Sequence, residues 1–90
     1  MEALAMIQTR SLSALIEASD AMLKSANVKF ASYQKSGEGI VTVLMRGSVA
    51  DCIHAVDVAM ARAAKVGTVL SGQVIPYPDS STNKKLPINV

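Results

Sequence analysis

Two stretches of the chain hold residue types that could do chemistry. The first is Lys35-Ser36-Gly37-Glu38-Gly39, a carboxylate set between two glycines with a lysine three residues before it. Glycine has no side chain to screen a neighbour, so Glu38 is presented bare. The chemistry open to it is electrostatic: favouring cations, repelling anions, or pairing with Lys35. A solvated turn charge is the plainer alternative for the same residues. The second stretch holds Cys52 and His54. Residues two apart point to different faces of a helix, so these two do not form a nucleophile and its base. Cys52, among Ile53, Val56 and Ala59, has the setting of a small buried hydrophobe. His54 has that of a surface or interface side chain. A single cysteine excludes a disulfide framework and any CxxC metal or redox site. No catalytic triad, paired-carboxylate site or phosphate loop is present, so the sequence predicts no enzyme, no bound metal and no cofactor.

The elements that must position Glu38 are two runs of strand character. Val28 to Gln34 precedes the glycines and Ile40 to Arg46 follows them, which makes residues 35–39 the turn of a β-hairpin with positive-φ positions. Upstream, Leu4 to Thr9 reads as a strand. Ser11 can cap a helix with apolar positions at Leu12, Leu15, Ile16, Ser19, Met22, Leu23 and Ala26, and Asn27 can end it in left-handed geometry. Ser48-Val49-Ala50-Asp51 resembles a capping box, opening a second helix through Cys52, Ile53, Val56, Met60, Ala63 and Ala64, which Gly67 closes. Val69 to Ile75 is a last strand, stopped by Pro76-Tyr77-Pro78. The second helix is rich in alanine, which predicts a close approach by another backbone.

The order βαββαβ predicts an α+β, ferredoxin-like domain, a four-stranded antiparallel sheet with both helices on one face. Ninety residues make one domain, with a core over about residues 2–78 and a tail or short helix over 79–90. A chain this short buries only about 60–65% of its unfolded surface, yet half its residues are apolar and 18% charged. The surplus apolar surface points to subunit interfaces. No run approaches the roughly 18 apolar residues of a membrane span, and Glu2 stands where a signal peptide would be positive, so a cytoplasmic location is expected. A net charge of +2 is far from a nucleic-acid footprint. One Phe and two Tyr do not provide the stacking platform of an RNA-binding domain of this fold. A small regulatory ligand-binding domain fits the same pattern, since its sites are built from backbone.

Residues 1–10 and the segment Ala14-Leu15-Ile16-Glu17-Ala18-Ser19-Asp20-Ala21-Met22-Leu23-Lys24-Ser25-Ala26-Asn27-Val28 resemble the opening of bacterial microcompartment shell proteins of the single-domain, hexamer-forming type. The likeness continues through Lys35-Ser36-Gly37-Glu38-Gly39, Val41-Thr42-Val43, Arg46-Gly47 and Val74-Ile75-Pro76. It implies a homohexamer, a flat tile that meets other shell proteins edge to edge around encapsulated enzymes. Residues Lys35, Ser36, Gly37, Glu38 and Gly39 would then line a pore on the six-fold axis that small metabolites cross. Lys24, Asn27, Tyr77 and Pro78 would lie at the hexamer edge. The segment Ile16 to Met22 is nearest to shells of aldehyde-processing metabolosomes.

The chain also departs from that family's pattern. Ala5 and Ser11 stand where the family usually has Gly, Gln8 where it has Glu, and Tyr77 where an Arg reaches into the next tile. Most relatives carry Ser or Gly at the position of Glu38, so the resemblance implies an unusually acidic pore. Carboxylates about 6 Å apart repel by roughly 2–3 kcal/mol at an effective dielectric near 20. A ring of them calls for shared protons, an axial cation, or side chains splayed towards Lys35.

Overall fold

The computed structural model describes residues 2–76, and the positions Tyr77 and Pro78 and the tail 79–90 lie outside them. The elements run β1 (Glu2–Thr9), α1 (Leu12–Ser25), β2 (Lys29–Lys35), β3 (Val41–Ser48), α2 (Val49–Ala63) and β4 (Val69–Pro76). All strand pairings are antiparallel, in the order β2-β3-β1-β4. That order and the βαββαβ succession are those of the expected ferredoxin-like sheet. The domain is a slab of 35 × 29 × 16 Å.

Period-two alternation decides which residues face the helices. Ala3, Ala5 and Ile7 of β1 and Val41, Val43 and Met45 of β3 meet Leu15, Met22, Cys52 and Val56 in the main core. Leu4 and Leu44, on the other side of the pleat, form a smaller buried cluster with Met6, Ala31 and Ile75 against it. The alanine content of the second helix has the expected use only in part, since Ala50, Ala61 and Ala64 are exposed. Ala14, Ala18 and Ala21 of α1 and Ala55, Ala59 and Ala63 of α2 are all buried, which lets the two helices and the sheet approach closely. The tightest approach is at Gly72, where a Cβ would stand 2.6 Å from the sulfur of Met60.

The helix ends differ from the sequence expectation in their detail. Ser11 caps α1, its Oγ accepting the Ala14 N–H at 3.1 Å. The far end closes on Ala26 in extended geometry, and among the described residues none other than glycine has a positive φ, so Asn27 is not a left-handed cap. Its N–H instead points to the Asp51 carboxylate at 3.5 Å. At the start of α2, Ser48 Oγ accepts the Asp51 N–H and donates to Asp51 Oδ2 at 2.9 Å. Asp51 thus uses its carboxylate on the Ser48 hydroxyl and on α1's exit, rather than on the Ser48 backbone as in a full capping box. Gly67 also lacks a positive φ. Its value is closeness, since a Cβ there would lie 2.9 Å from that of Ser11.

The apolar positions of α1 do not all lie on one face. Leu12, Ile16 and Leu23 are 54%, 60% and 51% exposed. The alanines fill the space above the sheet, so the larger residues at i, i+4 and i+11 fall on the flank of the helix.

Candidate functional site

The hairpin turn is built by its serine. Ser36 N–H donates to the Ile40 carbonyl at 2.8 Å, closing the end of the β2–β3 ladder. Ser36 Oγ then accepts two backbone donors that the turn would otherwise leave to water, the N–H of Glu38 at 3.2 Å and of Ile40 at 3.3 Å. Gly39 has φ 82, the left-handed geometry that glycine adopts without penalty. Gly37 does not share it, so only one of the two glycines answers the expectation of positive φ. Residues Lys35 to Gly39 are all exposed, and the Glu38 carboxylate stands at the tip of the turn. Lys35 and Glu38 form no ion pair within the chain. The ion pairs among the described residues join Lys24 to Asp20, Arg46 to Glu2 and Arg62 to Glu17.

The sheet separates this turn from the other candidate residues. Strand β2 begins at Lys29, beside Asn27, and ends at Lys35, a rise of about 20 Å for seven residues. Because α1 runs antiparallel to β1, its start lies near the turn end of the sheet, and Lys24 and Asn27 come at the opposite end. Lys24 Nζ sits 3.2 Å from Asp20 Oδ2, an i,i+4 pair on the open side of the helix. Beside Asn27 is a polar cleft of about 240 Å³, walled by Glu2, Lys29, Arg46, Gly47, Ser48 and Asp51. The candidate residues therefore form two groups at opposite ends of the slab, 35–39 at one and Lys24 with Asn27 at the other.

Between these ends the two long sides carry unlike apolar surfaces. Helix α1 lies over β1 and β3, and α2 over β1 and β4, so β2 stands at the margin of the helix layer. Register shows why its aromatics are outside. Phe30 pairs with Met45 and Ser32 with Leu44, so Ala31 is a bulge that returns Tyr33 to the helix side. Phe30 and Tyr33 are both exposed there, on the same side as Leu12, Ile16 and Leu23. Glu17 reaches Arg62 of α2 from the other flank of the helix, so that apolar stripe faces away from α2 towards β2. The opposite side, along α2 and β4, exposes Ile53, Val66 and Leu70. Sequence reading missed both flanks. The available signal was that α1 carries two apolar stripes, one of alanines with Leu15 and Met22, and one of Leu12, Ile16 and Leu23, more than one buried face needs.

The remaining candidates are Cys52 and His54. Cys52 is buried and its Sγ–H faces the Ala3 carbonyl at 3.5 Å. Burial, reinforced by the nearby Asp51 charge, pushes its thiol above the ordinary value, the reverse of what a nucleophile needs. His54 is exposed. Among the described residues no group of three His, Cys, Asp or Glu could hold a metal ion, and no helix is long and apolar enough to cross a membrane.

Comparison with known proteins gives this arrangement a context. The bacterial microcompartment shell protein EutM of Salmonella typhimurium is 47% identical over 89 residues, which cover 99% of this chain and 93% of that protein. The shell protein PduA of Citrobacter freundii is 49% identical over 86 residues, 96% of this chain and 92% of that one. A crystal structure of a microcompartment protein from Desulfitobacterium hafniense superposes with a TM-score of 0.76 at 32% identity, over 87% of this chain and 43% of its own length. Residues 3–78 match the BMC domain. With that match, the sheet order and the relatives in agreement, the chain belongs to the BMC domain family of bacterial microcompartment shell proteins.

Proposed function

We propose that this protein is a non-enzymatic shell subunit. It closes into homohexamers that tile edge to edge with other shell proteins, around enclosed enzymes, in the shell of a cytoplasmic microcompartment. The observation that carries this reading is the pair of unlike apolar flanks on opposite sides of one slab. A surface that fits a different surface of the same chain joins copies head to tail, and a head-to-tail series closes into a ring when the rotation allows. Placing Leu12, Ile16, Phe30 and Tyr33 of one copy against Ile53, Val66 and Leu70 of the next also accounts for the apolar surplus of a 90-residue chain.

In such a ring the narrow ends converge. The turn 35–39 meets the axis, and Lys24 and Asn27, with Tyr77 and Pro78, fall at the rim. Six copies of Glu38, which has no ion pair among the described residues, then surround one opening. A carboxylate ring favours cations and raises the barrier to anions, so small cationic and neutral polar metabolites cross this pore more readily than anionic ones. Transport of size-matched anionic and cationic probes through shells carrying Glu38, and then Glu38→Gln, tests the reading. The expected result is cation preference in the first that shrinks in the second. Equal selectivity in both returns Glu38 to the role of a solvated turn charge.

A further inference from the structure

Charge is not spread evenly along the slab. At the end that holds Lys24 and Asn27, the cations Lys24, Lys29 and Arg46 stand among the carboxylates Glu2, Asp20 and Asp51, and two ion pairs form. The turn end does not balance. Thr9 pairs with Val41 and Val69, and Val41 with Lys35, so these four residues make one row across the end of the sheet. Arg10 follows Thr9, and Lys65 lies in the connection that leads into Val69. The two connections are joined, since Arg10 N–H donates to the Thr68 carbonyl at 3.1 Å and a Cβ at Gly67 would stand 2.9 Å from that of Ser11. Lys35 is two strand spacings from Thr9, about 10 Å. Arg10, Lys35 and Lys65 are all exposed, and none has an ion pair among the described residues. Of the two carboxylates at this end, Glu17 is taken by Arg62, and Glu38 stands on the turn without a partner.

We infer that Arg10, Lys35 and Lys65 form a binding site for a small phosphate-bearing polyanion, of the size of a triphosphate. One exposed cation holds one anionic charge only weakly, as surface ion pairs show. Three cations within a Debye length of one another, about 10 Å at 0.1 M salt, act together on a ligand that carries several charges over a similar span. A triphosphate does so, and a monoanion does not. Arg10 adds a planar fork of donors that matches phosphate oxygens. A small ligand fits better than a nucleic acid, because the cluster is three residues wide on a chain of net charge +2. The cluster is complete in one subunit, so the site stands whether or not the ring forms. In the proposed ring it recurs six times around the opening and gathers such anions beside a pore that Glu38 bars to them.

Titration calorimetry of the full chain at low salt tests the site. The probes are inorganic phosphate, pyrophosphate, tripolyphosphate and a short single-stranded oligonucleotide of similar charge. The proteins are the wild type, Arg10→Gln, Lys65→Gln, a variant with Arg10, Lys35 and Lys65 all changed to Gln, and Lys29→Gln. The last removes an exposed cation from the opposite end and controls for net charge. Affinity should rise with the number of phosphates. Arg10→Gln and Lys65→Gln should each weaken tripolyphosphate about two- to fivefold, the triple variant about tenfold or more, and Lys29→Gln less than about twofold. Three results would overturn the inference: no tripolyphosphate binding by the wild type, losses in Lys29→Gln equal to those in Arg10→Gln, or tighter binding of the oligonucleotide than of tripolyphosphate. The pore reading is decided by transport, so neither outcome here stands in for that one.

Discussion

The hydroxyl oxygen of Ser36 accepts the backbone N–H of Glu38 at 3.2 Å, so the residue carrying the turn's only carboxylate is fixed at its amide by the side chain two positions before it. The same oxygen takes the Ile40 N–H at 3.3 Å. One small side chain thus defines the path of the backbone on both sides of Glu38, and the carboxylate's placement depends on it.

Ser36→Ala is expected to cost about 0.5–1 kcal/mol, the lower part of the range for a hydrogen bond, because both amides are exposed and can turn to water. Hydrogen–deuterium exchange gives the sharper readout. The amides of Glu38 and Ile40 should exchange faster in Ser36→Ala, while the β1–β3 ladder keeps its protection. Unchanged exchange at those two amides would contradict the role given to Ser36.

The buried thiol makes a separate prediction about pH. Cys52 titrates above its ordinary value of 9.0 in the folded chain because burial disfavours the thiolate. The folded state therefore holds this proton more tightly than the unfolded state does. The stability linked to it is complete below the unfolded value and is lost as pH rises through the folded one. Between pH 9 and 10.5, the urea midpoint of the wild type should fall more steeply than that of Cys52→Ala. The native thiol should also react with a disulfide reagent only on the timescale of unfolding. Parallel pH profiles for the two proteins would show that the thiol is not linked to folding.

Strand and helix positions were legible because each element announces itself through a local period. Alternation in Val41-Thr42-Val43-Leu44-Met45 and the serine caps at Ser11 and Ser48 are such signals, and the observed bounds lie within two residues of the expected ones. Three features were not legible, two of them because they depend on a partner far away in sequence. The rotation of α1 about its axis is set by the packing of Ala14, Leu15, Ala18 and Met22 against the sheet and α2, so the exposure of Leu12, Ile16 and Leu23 could not be read from spacing alone. The bulge at Ala31 is visible only in its register against β3. Lys35 is close to Glu38 in sequence, but the turn does not bring their charges together. The candidate turn itself was legible because its composition, two glycines around a carboxylate, exceeds what closing a hairpin requires.

The proposed rim carries a prediction about sheets rather than rings. Lys24 lies in the last turn of α1, where a cation is favoured by the helix dipole, and it is paired with Asp20. Lys24→Asp removes that pair and places two acids at i,i+4, a loss of a fraction of a kcal/mol on an exposed helix surface. Hexamers should persist. If Lys24 packs against its counterpart across the contact between tiles, electron microscopy of Lys24→Asp should show separate hexamers where the wild type forms extended layers. Tyr77→Arg, which supplies the charge that the family resemblance implies for that position, should strengthen layers. Normal sheets from Lys24→Asp would place Lys24 away from the rim contact.

The proposed ring rests on two different flanks, and mixing variants tests that most directly. Ile16→Asp spoils one flank and leaves the other intact, while Ile53→Asp does the reverse. Each variant alone should fail to form rings, because an aspartate desolvated in an apolar contact costs several kcal/mol and every junction would contain one. Mixed in equal amounts, the two can make one sound junction, the intact flank of each against that of the other. Native mass spectrometry should then show hexamers for the wild type, monomers for each variant alone, and one-to-one pairs without larger rings for the mixture. Hexamers from either variant alone, or a mixture that stays monomeric beside a hexameric wild type, would contradict the head-to-tail junction on which the account depends.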